Sequence, residues 1–177
     1  MMKYLELYNE YTALLCDQVT LRRQLQTVPK GYITQKQISG RIYYYLQYTA
    51  FGKKKSEYLR ETEVESVCEK LSHRESLSKK LDDNNADLDR LERAAKILDE
   101  PLSRTFFYLR QCADMDALPI SKREKVLSFA KAMTSLEGLP AEEVTEENLR
   151  LWAKGEKSFV DFYLPTLQNY GIMEVPG

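Results

Sequence analysis

Hydrophobic positions along the chain change period twice. Between residues 3 and 27 they recur at Leu7, Tyr11, Leu14, Leu21 and Leu25, with Gln18 in the vacant seam position. This heptad-like stripe predicts a helix, and Tyr4, Tyr8 and Leu15 widen it enough to meet more than one neighbour. Thr27-Val28-Pro29 ends the pattern, because proline cannot continue the backbone ladder and pushes the residue before it out of the helical region. From Lys30 to Leu59 the period is two. Ile42, Tyr44, Leu46, Tyr48 and Ala50 fall on one face, and Tyr43, Tyr45, Gln47, Thr49 and Phe51 on the other. With Ser39-Gly40 and Phe51-Gly52 as turn signals, this stretch predicts a three-stranded β-meander.

The helical period then returns, from about Glu61 to Leu98, on Val64, Val67, Leu71, Leu81, Leu88, Leu91, Ala95 and Leu98. Its middle is polar. His73, Arg74, Ser76, Ser78 and the run Asp82-Asp83-Asn84-Asn85 interrupt the seam, which predicts a helix partly clear of the core or a break near Asn84-Asn85. The simplest arrangement folds this helix antiparallel onto the first, with the meander at the tip and one of its faces covered, since a strand pair alone is marginal in water. Pro101 marks the next boundary. Beyond it come a helix over 102–113, one opened by a Ser-x-x-Glu box at Ser121 and closed by Gly138 and Pro140, one from Thr145 to Gly155, and one capped by Ser158-x-x-Asp161 that Pro165 kinks or shortens.

The predicted fold is therefore mainly α with a small antiparallel β-meander. Residues 1–100 form a long, coiled-coil-like helical hairpin with the meander inserted at about 31–59, and residues 101–177 form an all-helical unit of short helices.

Composition narrows the function classes. The 177 residues are 43% hydrophobic and 30% charged, without a membrane-length apolar run or a signal-peptide core, so a cytoplasmic protein with no membrane contact is expected. The net charge of −1 hides an asymmetry: residues 1–60 carry ten Lys/Arg against four Asp/Glu, and residues 61–100 seven against twelve. Either the layers attract one another or a basic patch is left for an acidic partner. Cys16, Cys68 and Cys112 show no CxxC spacing and are expected to be buried thiols. With one histidine, His73, and no phosphate-binding glycine loop, no enzyme, metal or cofactor is expected.

Two features rise above this background. Arg41, Lys53, Lys54, Lys55 and Arg60, with Tyr43, Tyr45 and Tyr48 interleaved, make a basic aromatic ribbon of the kind that neutralises phosphates and stacks bases. Strand propensity and edge protection by lysine account for the same residues. This segment resembles a module of the form KGxxxxKxIxGKxYYYLQYxxxGKxKSxYL that recurs in uncharacterised bacterial proteins and implies no activity.

The second feature is Phe129 to Tyr170, with a helix ending in Leu136-Glu137-Gly138-Leu139, a polar linker, a short helix, a Gly-x-x-Ser turn at Gly155 to Ser158 and a last helix. This pattern resembles the VbhA-type antitoxins, helical inhibitors of Fic-domain adenylyltransferase toxins. The resemblance implies an inhibitory motif (Ser/Thr)-x-x-x-Glu-(Gly/Asn), whose glutamate pairs with a toxin arginine that would otherwise hold the ATP γ-phosphate. Glu137 and Gly138 match it, while Met133 occupies the hydroxyl position. Glu137 shares a helical stripe with Val126, Ala130 and Met133, at the end of the helix where the dipole disfavours a carboxylate. An ordinary exposed glutamate before a glycine cap explains it equally. The expected function is a non-catalytic, antitoxin-like regulator holding a toxin or transferase partner through Met133, Leu136, Glu137 and Gly138. The alternative is a nucleic-acid-binding or scaffold protein using the ribbon.

Overall fold

A computed structural model describes residues 4–136 and 143–171. Among them are six helices and three strands in the order α1 (Leu5–Thr27), β1 (Tyr32–Ile38), β2 (Arg41–Ala50), β3 (Lys53–Leu59), α2 (Glu61–Leu98), α3 (Glu100–Asp116), α4 (Ile120–Leu136), α5 (Glu143–Lys154) and α6 (Phe159–Asn169). The fold is mainly helical with one small antiparallel sheet, as the periodicities predict. No helix among the described residues is long and apolar enough to cross a membrane.

The chain divides into two compact units, and the division does not fall at Pro101. Residues up to Arg23 together with those from Asp83 onward form one unit, and Gln24–Asp82 the other. The reason is the core of the first unit, which draws on α1, α2 and α3 at once: Tyr11, Leu15, Leu88, Leu91, Ala95, Leu102, Phe106, Leu109 and Ala113. Tyr11 lies flat on Phe106 with ring centroids 3.8 Å apart, and its hydroxyl donates to Glu92 Oε1 and to the Phe106 carbonyl. Pro101 sits in the first turn of α3, where its missing N–H costs nothing.

No break occurs in α2. Its less exposed positions run Val64, Val67, Leu71, Arg74, Leu77, Leu81, Asn84, Leu88, Leu91 and Ala95, spaced by three or four throughout. Of the polar residues read as interrupting the seam, Arg74 and Asn84 belong to it, whereas His73, Ser76, Ser78, Asp82 and Asp83 are exposed beside it. In the first unit, Asn84 Nδ2 donates to the Leu14 carbonyl and Gln18 Nε2 to Asn85 Oδ1. In the second unit, Arg74 Nη1 donates to the carbonyls of Leu25 and Val28, closing the C-terminal end of α1. In the first unit α1 and α2 run antiparallel, with Tyr4 bonded to the Leu98 carbonyl, Tyr11 to Glu92 and Gln18 to Asn85.

The remaining helices gather on a second cluster of the first unit, centred on Trp152, Ala153 and Phe162. Their caps differ from those expected. Ser121 lies inside α4, and the N–H groups of Lys122 and Arg123 reach the Pro119 carbonyl instead. Ser158 stands at the N-terminus of α6, but its hydroxyl bonds Asp116 Oδ2, and Asp116 Oδ1 takes the Phe159 N–H at 2.8 Å. The cap is thus a carboxylate from α3, 42 residues away. Gly155 ends α5 at φ +80°, with Glu156 N–H on the Leu151 carbonyl and Gly155 N–H on the Trp152 carbonyl, a Schellman closure. α6 continues through Pro165 to Asn169.

Candidate nucleic-acid interface

The sheet is built by its turns. Ser39-Gly40 has φ of 49° and 79°, and Phe51-Gly52 has 52° and 73°. Two consecutive residues at positive φ belong to the I′ turn, whose twist matches that of the flanking strands. A third constraint acts before β1. At Gly31, with φ +125°, a Cβ would stand 2.1 Å from the Gln47 carbonyl oxygen, so only glycine lets the chain enter the sheet there.

These turns fix the register. β1 pairs with β2 as Tyr32↔Gln47 through Ile38↔Arg41, and β2 with β3 as Tyr44↔Leu59 through Ala50↔Lys53. Residues paired across strands share a face. One face carries Ile33, Tyr44, Leu46 and Leu59, and Leu46 and Leu59 are buried there. Lys53, Lys55, Tyr48 and Glu57 belong to this same face, with the Tyr48 hydroxyl donating to the Glu57 carboxylate.

The opposite face is open and of a different character. It carries Tyr32, Thr34, Lys36 and Ile38 from β1, Arg41, Tyr43, Tyr45, Gln47 and Thr49 from β2, and Lys54, Ser56 and Tyr58 from β3. Tyr32 and Tyr58 are more than half exposed. Tyr58 stands between Tyr43 and Tyr45, with ring centroids 6.2 and 5.9 Å away and tilts of 53° and 68°. Lys36 Nζ lies 5.0 Å over the Tyr45 ring, a cation–π contact. This face holds three cations and no carboxylate.

The register therefore sorts the residues that the ribbon pattern proposed. Arg41, Tyr43, Tyr45 and Lys54 come together, while Lys53 and Lys55 lie on the other side. Lys36, Tyr32 and Tyr58 join the first group, although the sequence reading did not select them. Their signal lies in the spacing: once the two glycine turns are placed, counting outward from each turn pairs Lys36 with Tyr43 and Tyr58 with Tyr45.

A concavity in the first unit is another feature of ligand size. It has a volume of about 420 Å³ and is lined mainly by apolar side chains of α1, α3 and α6, among them Tyr8, Leu15, Leu109 and Leu164. Its polar residues are engaged in holding the fold. Arg23 donates to the Asp116 carbonyl, the Asp116 carboxylate caps α6, and Thr12 and Thr20 bond carbonyls of their own helix. No convergent set of reactive groups is left in it. Of the cysteines, Cys112 is buried, whereas Cys16 and Cys68 are exposed because they fall on the outward positions of α1 and α2. Burial and the charge of Asp116 push the Cys112 thiol up to about 12.

The expected partner-binding segment is described only in part. Met133 and Leu136 lie in the last turn of α4. Glu137 and Gly138 lie outside the described residues.

Comparison with known proteins bears on the sheet. Residues 4–69 are similar to a family described as Domain of unknown function (DUF6788), a match that takes in α1, all three strands and the first turns of α2. No curated protein and no solved structure matches the chain.

Proposed function

We propose that the chain binds nucleic acid through the open face of its sheet. One observation carries this reading: four tyrosines and three cations share a solvent-facing β-surface that bears no acidic side chain. A strand set that needed only solubility would carry both signs of charge and few rings on its wet face. Polyanion binding asks for cations that neutralise phosphates beside aromatic rings that meet bases.

The test uses the faces as controls for each other. Lys54→Ala and Arg41→Ala weaken binding of a labelled oligonucleotide and each reduces the dependence of log affinity on log salt by about 0.7–0.9 units. Lys55→Ala, on the opposite face, changes it less. Equal effects of Lys54→Ala and Lys55→Ala would refute the assignment to one face, and absence of binding at low salt would refute the function.

A second reading, a non-catalytic antitoxin-like regulator of a Fic-type or other nucleotidyl-transferring toxin, is favoured by the order of the last three helices. α4 ends at Leu136, directly before Glu137 in sequence, and α5, a left-handed Gly155, Ser158 at the N-terminus of α6, and α6 follow in the order the resemblance implies. In this reading Glu137, the next residue in sequence after α4, pairs with an arginine of the partner. A candidate toxin that is still bound and equally inhibited after Glu137→Ala would remove the inhibitory role.

A further inference from the structure

We infer that the open sheet face takes unpaired nucleobases, so that its ligand is a single strand and not a duplex. This inference rests on the nucleic-acid reading above and adds the state of the ligand.

What lies at the centre of the face decides it. Reading a duplex in its groove calls for side chains that reach base edges with two hydrogen bonds at once, as arginine does on guanine and asparagine or glutamine on adenine. The centre offers none of these. The face has no asparagine, and its one glutamine, Gln47, already accepts a hydrogen bond from the Tyr32 hydroxyl at 3.0 Å. Its one arginine, Arg41, stands at the β1–β2 turn, at the end of the central strand. The middle is instead occupied by the rings of Tyr43, Tyr45 and Tyr58.

Rings recognise the flat faces of bases, and paired bases hide those faces inside the stack. An unpaired strand presents them, and aromatic residues on a sheet surface hold about two or three bases in this way. The tilts matter here. At 53° and 68° Tyr58 meets Tyr43 and Tyr45 tilted and edge to face instead of flat against either, and it keeps more than half of its surface in water.

The cations are placed for a backbone that passes around this centre. Lys36 lies on the outer strand β1, Lys54 on the outer strand β3, and Arg41 at the far end of β2. Along β2, Arg41 and the Thr49 that pairs with Lys54 are eight residues apart, about 26 Å at 3.3 Å per residue, so phosphates are met at both ends of the ring cluster.

Phe51 is an independent sign. It is 99% exposed and holds φ +52° in the β2–β3 turn, a position that asparagine or glycine occupies more easily. A large apolar ring wholly in water, in a backbone conformation disfavoured for it, does nothing for the fold. It stands two residues before the start of β3, in the same turn-bounded ribbon as the tyrosines.

The experiment measures fluorescence anisotropy of the full chain with labelled oligothymidylate of about 10 nucleotides and with a hairpin duplex of matched length. Expected are at least tenfold tighter binding of the single strand and a slope of log affinity on log salt near −2, from three phosphate contacts at about 0.7 each. Tyr58→Leu and Tyr43→Leu should each weaken single-strand binding by about 5- to 150-fold, the range for losing one stacked base. Tyr58→Phe, which keeps the ring, should stay within threefold and controls for damage to the sheet. Duplex binding as tight as single-strand binding, or no loss in Tyr58→Leu, would overturn this inference and leave the nucleic-acid reading standing. Failure to bind either probe would overturn both.

Discussion

Replacing Arg123 with methionine should destabilise the first unit by on the order of 2–4 kcal/mol. Arg123 is 3% exposed and its guanidinium makes three hydrogen bonds to backbone carbonyls: Nε to Leu118 at 3.1 Å, Nη1 to Trp152 at 2.9 Å and Nη2 to Asp116 at 2.6 Å. It also lies 5.1 Å over the Trp152 ring. Burial lowers its pKa and the Asp116 carboxylate opposes that, but an arginine stays charged throughout the working range. Three bonds from a charged donor are worth about 5–9 kcal/mol gross, and removing the buried charge returns several kcal/mol of desolvation. The loss is further limited because two of the carbonyls keep a second donor, Gly155 N–H on Trp152 and Arg23 on Asp116. Urea unfolding followed by fluorescence reads this site directly, since Trp152 is the one tryptophan in the sequence and is fully buried. With an m-value of about 2 kcal/mol/M, the midpoint should fall by about 1–2 M. Arg123→Lys should do no better than methionine, because it keeps a buried charge without the fork that meets three carbonyls. A methionine variant within about 0.5 kcal/mol of the parent would refute the reasoning and assign the junction of α3, α4 and α5 to apolar packing alone.

Other expectations test the two units separately. Gly31→Ala should disrupt the entry to β1 at a cost of about 2 kcal/mol or more, since its Cβ would overlap the Gln47 carbonyl; an unchanged denaturation midpoint would contradict the geometry. Phe51→Asn should relax the second turn and raise stability by about 0.5–1 kcal/mol while weakening oligonucleotide binding, and a variant that binds as well as the parent would show that the ring is no contact. Alkylation read by mass spectrometry should add two groups to the native chain, at Cys16 and Cys68, and a third at Cys112 only on unfolding. The folded state favours the neutral Cys112 thiol, so its contribution is whole below the unfolded value of 9.0 and falls as pH climbs from there toward about 12. Cys112→Ala should flatten that alkaline decline, and an identical decline in parent and variant would sink the assignment.

Periodicity made the elements legible and tertiary hydrogen bonding hid their details. The meander and both its turns follow from Ser39-Gly40, Phe51-Gly52 and the alternation of β2, because strand faces and I′ turns are local properties. The unbroken course of α2 was not legible. Arg74 and Asn84 look like interruptions until their carbonyl partners on and just after α1 are known, and those partners lie 46 to 70 residues away. For the same reason the Ser158 box misleads: a carboxylate from α3 outcompetes the local side chain at the start of α6. Of the ribbon residues, the tyrosines sort by alternation, whereas the side of each lysine follows only when the pairing is counted out from the turns. Lys53, Lys54 and Lys55 are equivalent in composition, and only pairing with β2 sends the middle one to the tyrosine face.

The buried polar residues of the first unit and the polar residues of the open sheet face are used in opposite ways, and this contrast supports the proposed binding face. In the first unit, the buried or semi-buried polar side chains Gln18, Asn84, Asp116 and Arg123 each reach a partner inside the fold, although Gln18 Oε1 and Asn84 Oδ1 are buried without one. On the open sheet face, Lys54 and Arg41 carry charge that no carboxylate of that face answers, and Tyr58 keeps more than half of its surface in water. Folding does not require those choices: Thr or Ser at the same positions would satisfy the strands and remain soluble. The sheet is also where Phe51 accepts a backbone conformation that a different residue would hold more easily. Residues that the fold neither needs nor favours, gathered on one surface, are what the proposed nucleic-acid interface rests on.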